Sequence, residues 1–241
     1  MSDFGSMAWI EATGGAMSWF DGIRMVLQAW RVRRRRGSTP LSFLDPSMIR
    51  LPDTALALEA MEICRTASRP YLLHHCLRSY YWARLLNDSC KHFDDEALFA
   101  ATMLHDLGLT DGHRDPDRCF TAVGADAVEK LALRHGWSDR RARLAADAIA
   151  LHLNVMVGDA HGREAQLLRL GSGADTTGLA LRALPKHEID EVLSLYPRLG
   201  LKRHLAPVLA AEAEAKPCCR IAFLQNKFGF AKMVARAPFA D

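Results

Sequence analysis

The sequence lacks any hydrophobic run long enough to cross a membrane, because no stretch reaches the roughly 18 apolar residues of a transmembrane helix. It also lacks a convincing signal peptide: its arginine-rich segment, residues 31–36, follows a mixed segment instead of preceding an apolar one. None of the six cysteines forms a C-x-x-C pair, which argues against a thiolate zinc site. We therefore expect a cytoplasmic protein with reduced thiols.

Excess charge is nearly absent from the body of the chain. Residues 1–40 carry six basic and three acidic side chains, which leaves 25 of each sign in residues 41–241. Because phosphate affinity comes from clustered lysine and arginine, this neutral body argues against a nucleic-acid partner. A hydrophobic content of 49% excludes a disordered chain and suits a globular protein with a sizeable core.

Strand-like alternation is also missing, whereas apolar residues recur with the 3.6-residue period of helices. We therefore predict an all-α fold: a single helical bundle over residues 41–230, between an N-terminal extension (1–40) and a C-terminal tail (231–241). The predicted helices of the bundle cover residues 52–67, 72–86, 94–108, 120–135, 138–153, 162–176, 187–195 and 199–215.

The N-terminal extension contains one further predicted helix, over residues 17–32, in which aromatic and aliphatic residues precede the arginines. Such a helix can lie on an anionic membrane surface. It can also pack on the domain and leave its arginines in solvent at its C-terminal end, which is the interpretation we favour. Residues 1–16 show no periodicity and are expected to be loosely structured. The sequence also leaves open whether the chain associates into a homo-oligomer.

Three sets of polar residues stand inside apolar helical patterns: His74-His75, His105-Asp106 and Asp175. A buried imidazole or carboxylate is costly unless it is paired or bound to a metal. His105 and Asp106 end a predicted helix, where neighbouring side chains can turn toward one point. Taken singly, each residue is better explained as a core or turn residue, but together they form a ligand set for zinc, iron or manganese.

Five ordered segments resemble a known family. They are residues 52–60 (PDTALALEA), 74–78 (HHCLR), 104–110 (LHDLGLT), 118–127 (RCFTAVGADA) and 148–152 (AIALH). Together they resemble the HD superfamily of helical metal-dependent enzymes, and within it the cyanamide hydratase-type proteins. The resemblance implies that one divalent metal ion, zinc in the hydratase branch and iron or manganese elsewhere, is bound by four residues: His75, His105, Asp106 and Asp175.

The resemblance also implies the catalytic roles. Phe120 stands where two-metal relatives carry a histidine, so a single metal ion is expected. Asp106 would orient or deprotonate a metal-activated water, and His152 would give a proton or hold the substrate. A supporting role for His152 explains its position equally well.

Some positions depart from the family pattern. His74 and Thr121 replace an asparagine and a glutamate of the family, and we expect both to contact the substrate. Arg78 follows His75 on the same helix face, and we expect it to pair with Asp106 or another carboxylate.

The leading hypothesis is a metal-dependent hydratase or hydrolase for a small molecule of the nitrile or amide type. One alternative is a phosphohydrolase for a nucleotide or phosphate ester, for which Arg78, Arg114 and Arg118 are the nearest basic residues along the chain. Another is a catalytically degenerate scaffold, which would hold no metal.

Overall fold

The computed structural model describes residues 3–34, 45–88 and 91–240, with the side chain of residue 33 excepted. Within these ranges the chain forms α-helices and short 3-10 turns and has no β-strand, which confirms the all-α prediction. The helices are α1 (Met7–Thr13), α2 (Trp19–Arg34), α3 (Ala55–Ala67), α4 (Pro70–Leu85), α5 (Asp95–Leu104), α6 (Phe120–Arg134), α7 (Asp139–Leu151), α8 (Arg163–Thr177), α9 (Lys186–Leu195), α10 (Leu201–Ala215), α11 (Arg220–Phe228) and α12 (Phe230–Ala235).

Helix α4 lies at the centre of the bundle. It begins with Pro70, whose fixed φ suits the first helical turn. Side chains on nearly every side of α4 are buried, including Tyr80, Trp82 and Leu85, as expected for a helix surrounded by others. It packs most extensively against α8, while α5 packs against α4, α3 and α7.

Two glycines allow the central helices to approach closely. A Cβ atom on Gly171 of α8 would lie 2.1 Å from the backbone oxygen of Ser79 on α4. A Cβ atom on Gly124 of α6 would lie 2.5 Å from the backbone oxygen of Leu104, at the end of α5. Because no larger residue fits at either contact, these glycines hold α8 and α6 against the two helices that carry the histidines.

Side-chain caps set the starts of three helices, α3, α5 and α7, within three residues of the predicted ones. Thr54 caps α3 and Ser138 caps α7. Asp94 caps α5, where its Oδ1 accepts a hydrogen bond from the backbone N–H of Ala97 at 3.0 Å. The other oxygen of Asp94 accepts from Arg141 Nε at 2.6 Å, which ties the start of α5 to α7.

The prediction that residues 1–16 are loosely structured is wrong. Helix α1 forms there, with Trp9 and Ile10 buried, and the backbone N–H of Met7 donates to Asp147 Oδ1 at 2.7 Å. The predicted C-terminal tail likewise contains most of α12, in which Val234 is buried. Both helices are too short to show a helical period in sequence, and contacts with the rest of the bundle hold them in place.

Helix α2 presents apolar residues on two sides. Met25 is fully buried, and Gly22 lies against the ring of Phe223. The outer side leaves six large apolar residues exposed, namely Trp19, Phe20, Ile23, Val26, Leu27 and Trp30. The favoured interpretation, in which this helix packs on the domain, therefore accounts for the inner side only, and a membrane-surface contact stays a prediction.

None of the described helices is long and apolar enough to span a membrane. The five cysteines within the described ranges are free thiols, four of them buried. The sixth, Cys90, lies outside the described residues, as do Arg35, Arg36 and residues 37–40 at the end of the N-terminal extension.

We expect Gly171→Ala to lower the free energy of unfolding by about 1–3 kcal/mol, because the added methyl forces α8 away from α4. Gly173→Ala is the matched control in the same helix. There the new methyl meets only the side chain of Leu179, whose terminal Cδ2 is the nearest atom at 3.0 Å. The higher helix propensity of alanine should therefore leave stability unchanged or raise it by up to about 1 kcal/mol. Urea unfolding measures both, and equal effects would contradict the close-contact argument.

Candidate metal centre

His75 lies in the middle of α4 on the side that faces α8, and only 1% of its surface is exposed. Its Nδ1–H donates to Asp175 Oδ2 at 2.7 Å. This bond fixes the ring so that the opposite nitrogen, Nε2, points at His105.

His105 and Asp106 lie where α5 ends. His105 keeps helical dihedral angles (φ −63°, ψ −31°), whereas Asp106 has left the helix with φ −105° and ψ 11°. This change of direction turns both side chains toward the same point. The Nδ1–H of His105 donates to the backbone oxygen of Thr102 at 2.7 Å, which fixes the second ring.

Three buried atoms meet at this point. His75 Nε2 and His105 Nε2 lie 3.2 Å apart, and each lies 3.4 Å from Asp106 Oδ2. Both rings carry their hydrogen on Nδ1 and donate it to other groups, so in the neutral rings both Nε2 atoms carry lone pairs. Three acceptors thus face one another, an arrangement that is repulsive unless a cation lies between them.

The spacing of these atoms fits a divalent metal ion. Ligands held tetrahedrally at about 2.0–2.2 Å from a zinc ion lie about 3.3–3.6 Å from one another. The distances of 3.2–3.4 Å within the cluster match that geometry. Two imidazoles and one carboxylate also suit iron or manganese, so the donor set is compatible with several divalent cations.

Asp175 lies behind His75 and outside the group of three ligand atoms. Its Oδ1 accepts hydrogen bonds from Arg78 Nε at 2.7 Å and Trp82 Nε1 at 2.9 Å. Its Oδ2 accepts from His75 and from Arg78 Nη2 at 2.9 Å. With both oxygens engaged, Asp175 orients the imidazole of His75, and its direct ligation of the metal stays a prediction.

Neighbouring groups keep both carboxylates of the site ionised. Burial by itself would raise the pKa of Asp175, but the guanidinium of Arg78 and the hydrogen bond from His75 hold it well below its usual range. Burial would likewise raise the pKa of Asp106, but the neighbouring imidazoles of His105 and His75 have the larger effect and hold this pKa below its usual range. For His75, burial would lower the pKa, but the hydrogen bonds to Asp106 and Asp175 raise it above its usual value. A proton and a metal ion therefore compete for the same position.

His152, a predicted catalytic residue, lies beside the cluster. Its ring packs edge-on against those of His105 and Phe120, with ring centroids 5.1 and 5.7 Å away. Its Nδ1–H donates to the backbone oxygen of Ile149 at 2.7 Å. Burial lowers the pKa of His152 to about 3, so the ring is neutral and its Nε2 carries the lone pair of an acceptor. Phe120 lies beside this ring and has no atom that can bind a metal, and the expectation of a single metal ion stays a prediction.

The structure does not bring the two predicted substrate contacts to the site. His74 precedes His75 on α4, so its side chain is rotated by about 100° around the helix axis and points away from the cluster. Its Nδ1 lies 2.8 Å from the backbone oxygen of Pro197. Thr121 is buried and its hydroxyl accepts from Arg220 Nη2 at 3.3 Å. Neither residue lines the cavity beside the cluster, so a substrate contact is not supported at either position. Arg78 does pair with a carboxylate, that of Asp175, as expected.

A cavity of about 490 Å³ opens beside the three ligand atoms. Its walls are mostly apolar and come from α2, α8, α10, α11 and α12 as well as the cluster itself. Sequence reasoning missed the polar wall that α8 contributes, which consists of Arg169, Ser172, Thr176 and Thr177. Their helical spacing was visible in the sequence, but nothing there distinguished a cavity face from a solvent face.

Comparison with known proteins identifies the central part of this bundle. The sequence model of the HD domain family matches residues 72–195, just over half of the chain. That span begins in α4 and ends with α9, and it contains every residue of the cluster together with Asp175 and His152. No curated protein matches the chain.

We expect Arg78→Met to lower the free energy of unfolding by about 3–5 kcal/mol, because it leaves the buried carboxylate of Asp175 short of its principal partner. Arg65→Met is the matched control, since Arg65 pairs with Glu62 on the surface at 2.6 Å and such pairs contribute less than about 1 kcal/mol. Urea unfolding of the two variants checks the difference. If Arg78→Met lowers the free energy of unfolding by no more than the control does, the buried ion pair does not stabilise the fold as argued.

Proposed function

Because the chain belongs to the HD domain family, whose members are generally metal-dependent hydrolases, we propose that it is a metal-dependent hydratase or hydrolase. The proposed reaction adds water to a nitrile- or amide-type carbon of a small molecule. The observation that carries the proposal is the group of three buried acceptor atoms 3.2–3.4 Å apart at the edge of a cavity. A bound divalent cation supplies Lewis acidity there and lowers the pKa of a coordinated water toward neutrality.

Each residue of the site has a distinct part in this proposal. His75, His105 and Asp106 hold the cation, while Asp175 keeps the ring of His75 in the correct tautomer. The Nε2 atom of His152 accepts a hydrogen bond from an N–H or O–H group of the substrate or from the attacking water. The apolar walls of the cavity exclude other water, which strengthens these interactions.

Likeness to the cyanamide hydratase-type proteins supports a nitrile or amide substrate, since all five motifs occur in the same order. The departures at His74 and Thr121 remove no contact inside the cavity, because neither residue lines it. The cavity volume of about 490 Å³ nevertheless far exceeds that of cyanamide, which has three heavy atoms and fills roughly two water volumes, about 60 Å³. A larger nitrile or amide therefore fits better than cyanamide itself.

A phosphohydrolase reaction has less support. Two of the arginines that the sequence offered for phosphate binding are engaged elsewhere: Arg78 with Asp175, and Arg118 with Asp126 at 2.8 Å. The third, Arg114, is exposed. None of the three lines the cavity, which leaves a multiply charged phosphate without the basic cluster that it needs.

Protein purified without added metal is expected to contain about one divalent cation per chain, and both His75→Ala and His105→Ala should lose it. His135→Ala is the matched control: His135 also hydrogen-bonds a carboxylate, Glu59 Oε2 at 2.7 Å, but lies outside the cluster. Elemental analysis after dialysis decides the matter. A metal-free parent, or full metal content in both histidine variants, would overturn the proposed centre and favour a non-catalytic scaffold.

The reaction itself is tested with two panels of substrates. We expect consumption of nitriles or amides, with urea formed from cyanamide as one readout, and inhibition by a chelator. His152→Ala should keep its metal yet lower kcat by about 100-fold or more, the usual contribution of a group that handles a proton. Phosphate release from nucleotides or phosphate esters, without turnover of the first panel, would replace this proposal by the phosphohydrolase alternative.

A further inference from the structure

A single permanently charged cation lines the cavity among the described residues. Arg169 contributes its guanidinium from α8, and every other basic group on the wall is an imidazole. Among the residues that the structure describes, Arg169 makes one hydrogen bond, from Nε to the backbone oxygen of Asn154 at 2.9 Å. No carboxylate in the described part of the chain pairs with it, so its two terminal nitrogens are left for a molecule in the cavity.

The orientation of Arg169 is fixed before any ligand binds. The side chain of Asn154 is held from two sides, because its Nδ2 donates to the backbone oxygen of Phe4 at 2.9 Å and its Oδ1 accepts from Arg220 Nη1 at 2.8 Å. Asn154 lies two residues after His152, so one short segment positions both the imidazole beside the cluster and the carbonyl that holds Arg169. Such preorganisation reduces the entropy lost on binding.

The surroundings of Arg169 disfavour a charge without a partner. Burial lowers the pKa of its guanidinium to about 10, and no anion within the described ranges offsets this effect. The side chain is still protonated at neutral pH, so it keeps an incompletely compensated positive charge beside apolar walls. Arg78 differs in this respect, because it makes two hydrogen bonds to the carboxylate of Asp175.

We propose that Arg169 binds the anionic end of the substrate, and that the substrate is an amphipathic carboxylate whose apolar body fills the cavity. With Nε engaged, the two terminal nitrogens form a planar fork that matches the two oxygens of a carboxylate. A monoanion is favoured because Arg169 is the one guanidinium on the described wall. Leu205, Leu209, Leu224 and Phe228 line the cavity and provide the apolar contacts.

This inference rests on the proposed function for the identity of the reacting group, a nitrile or amide carried by the same molecule. The binding of a carboxylate by Arg169 is independent of turnover. It can therefore be measured in protein from which a chelator has removed metal, where a carboxylate cannot bind the cation instead.

The test compares hexanoate, hexanamide and hexyl phosphate by calorimetric titration of the metal-stripped chain. We expect hexanoate to bind at least about 10-fold more tightly than hexanamide, and Arg169→Met to weaken hexanoate by about 10- to 100-fold, as for other hydrogen bonds to charged groups. Arg163→Met, in the same helix but outside the cavity wall, is the matched control and should bind as the parent does.

Equal binding of hexanoate and hexanamide by the parent chain would overturn the proposal, and this comparison needs no folded variant. So would undiminished hexanoate binding in Arg169→Met, or no binding of any probe. Tighter binding of hexyl phosphate that depends on Arg169 would overturn the carboxylate assignment in favour of a phosphate. Failure of the metal analysis alone would leave these binding results standing, so the two proposals fail separately.

Discussion

The carboxylate of Asp175 is completely buried between α4 and α8, and the candidate centre depends on how its charge is compensated. An isolated carboxylate in such a place would be very costly, but here Arg78, Trp82 and His75 all donate hydrogen bonds to it. One set of contacts therefore serves two purposes. It stabilises the packing of two central helices, and it turns the Nε2 atom of His75 toward the other two ligand atoms.

Helix α8 separates anchoring from recognition by means of its two faces. Gly171 and Asp175 lie on the face against α4, while Arg169, Ser172 and Thr176 lie on the face toward the cavity. Because the helix advances by about 100° per residue, both sets occur within two turns of one another. The position of the cavity wall relative to the metal ligands is consequently set by the rigid contact at Gly171.

Much of the bundle could be predicted from sequence because its helices are long, periodic and capped by residues such as Thr54, Asp94 and Ser138. The segments that carry His75, His105 and Asp106 could also be found, since polar residues interrupt apolar helices there. The direction in which each side chain points could not be predicted in the same way. His74 is as polar as His75 but points at Pro197, and only the packing of α4 against its neighbours decides between them.

The same limitation explains what was missed. Arg169 differs in no sequence property from an arginine on a solvent face, and its environment arises from α2, α10, α11 and α12, which lie far away along the chain. Helix α1 could not be recognised either, because its burial comes from contacts with α6 and α7 rather than from a pattern of its own. Long-range contacts, not local composition, determine both features.

Helix α2 forms part of the boundary between the reaction space and the outside. Ala29 and Val32 close the cavity from within, whereas Trp19, Phe20 and Trp30 face the solvent. An α-helix with its side chains is about 10–12 Å across, so the two environments are separated by the thickness of a single helix. Anything that attaches to the outside of this wall and shifts it will change the volume and the entrance that a substrate encounters.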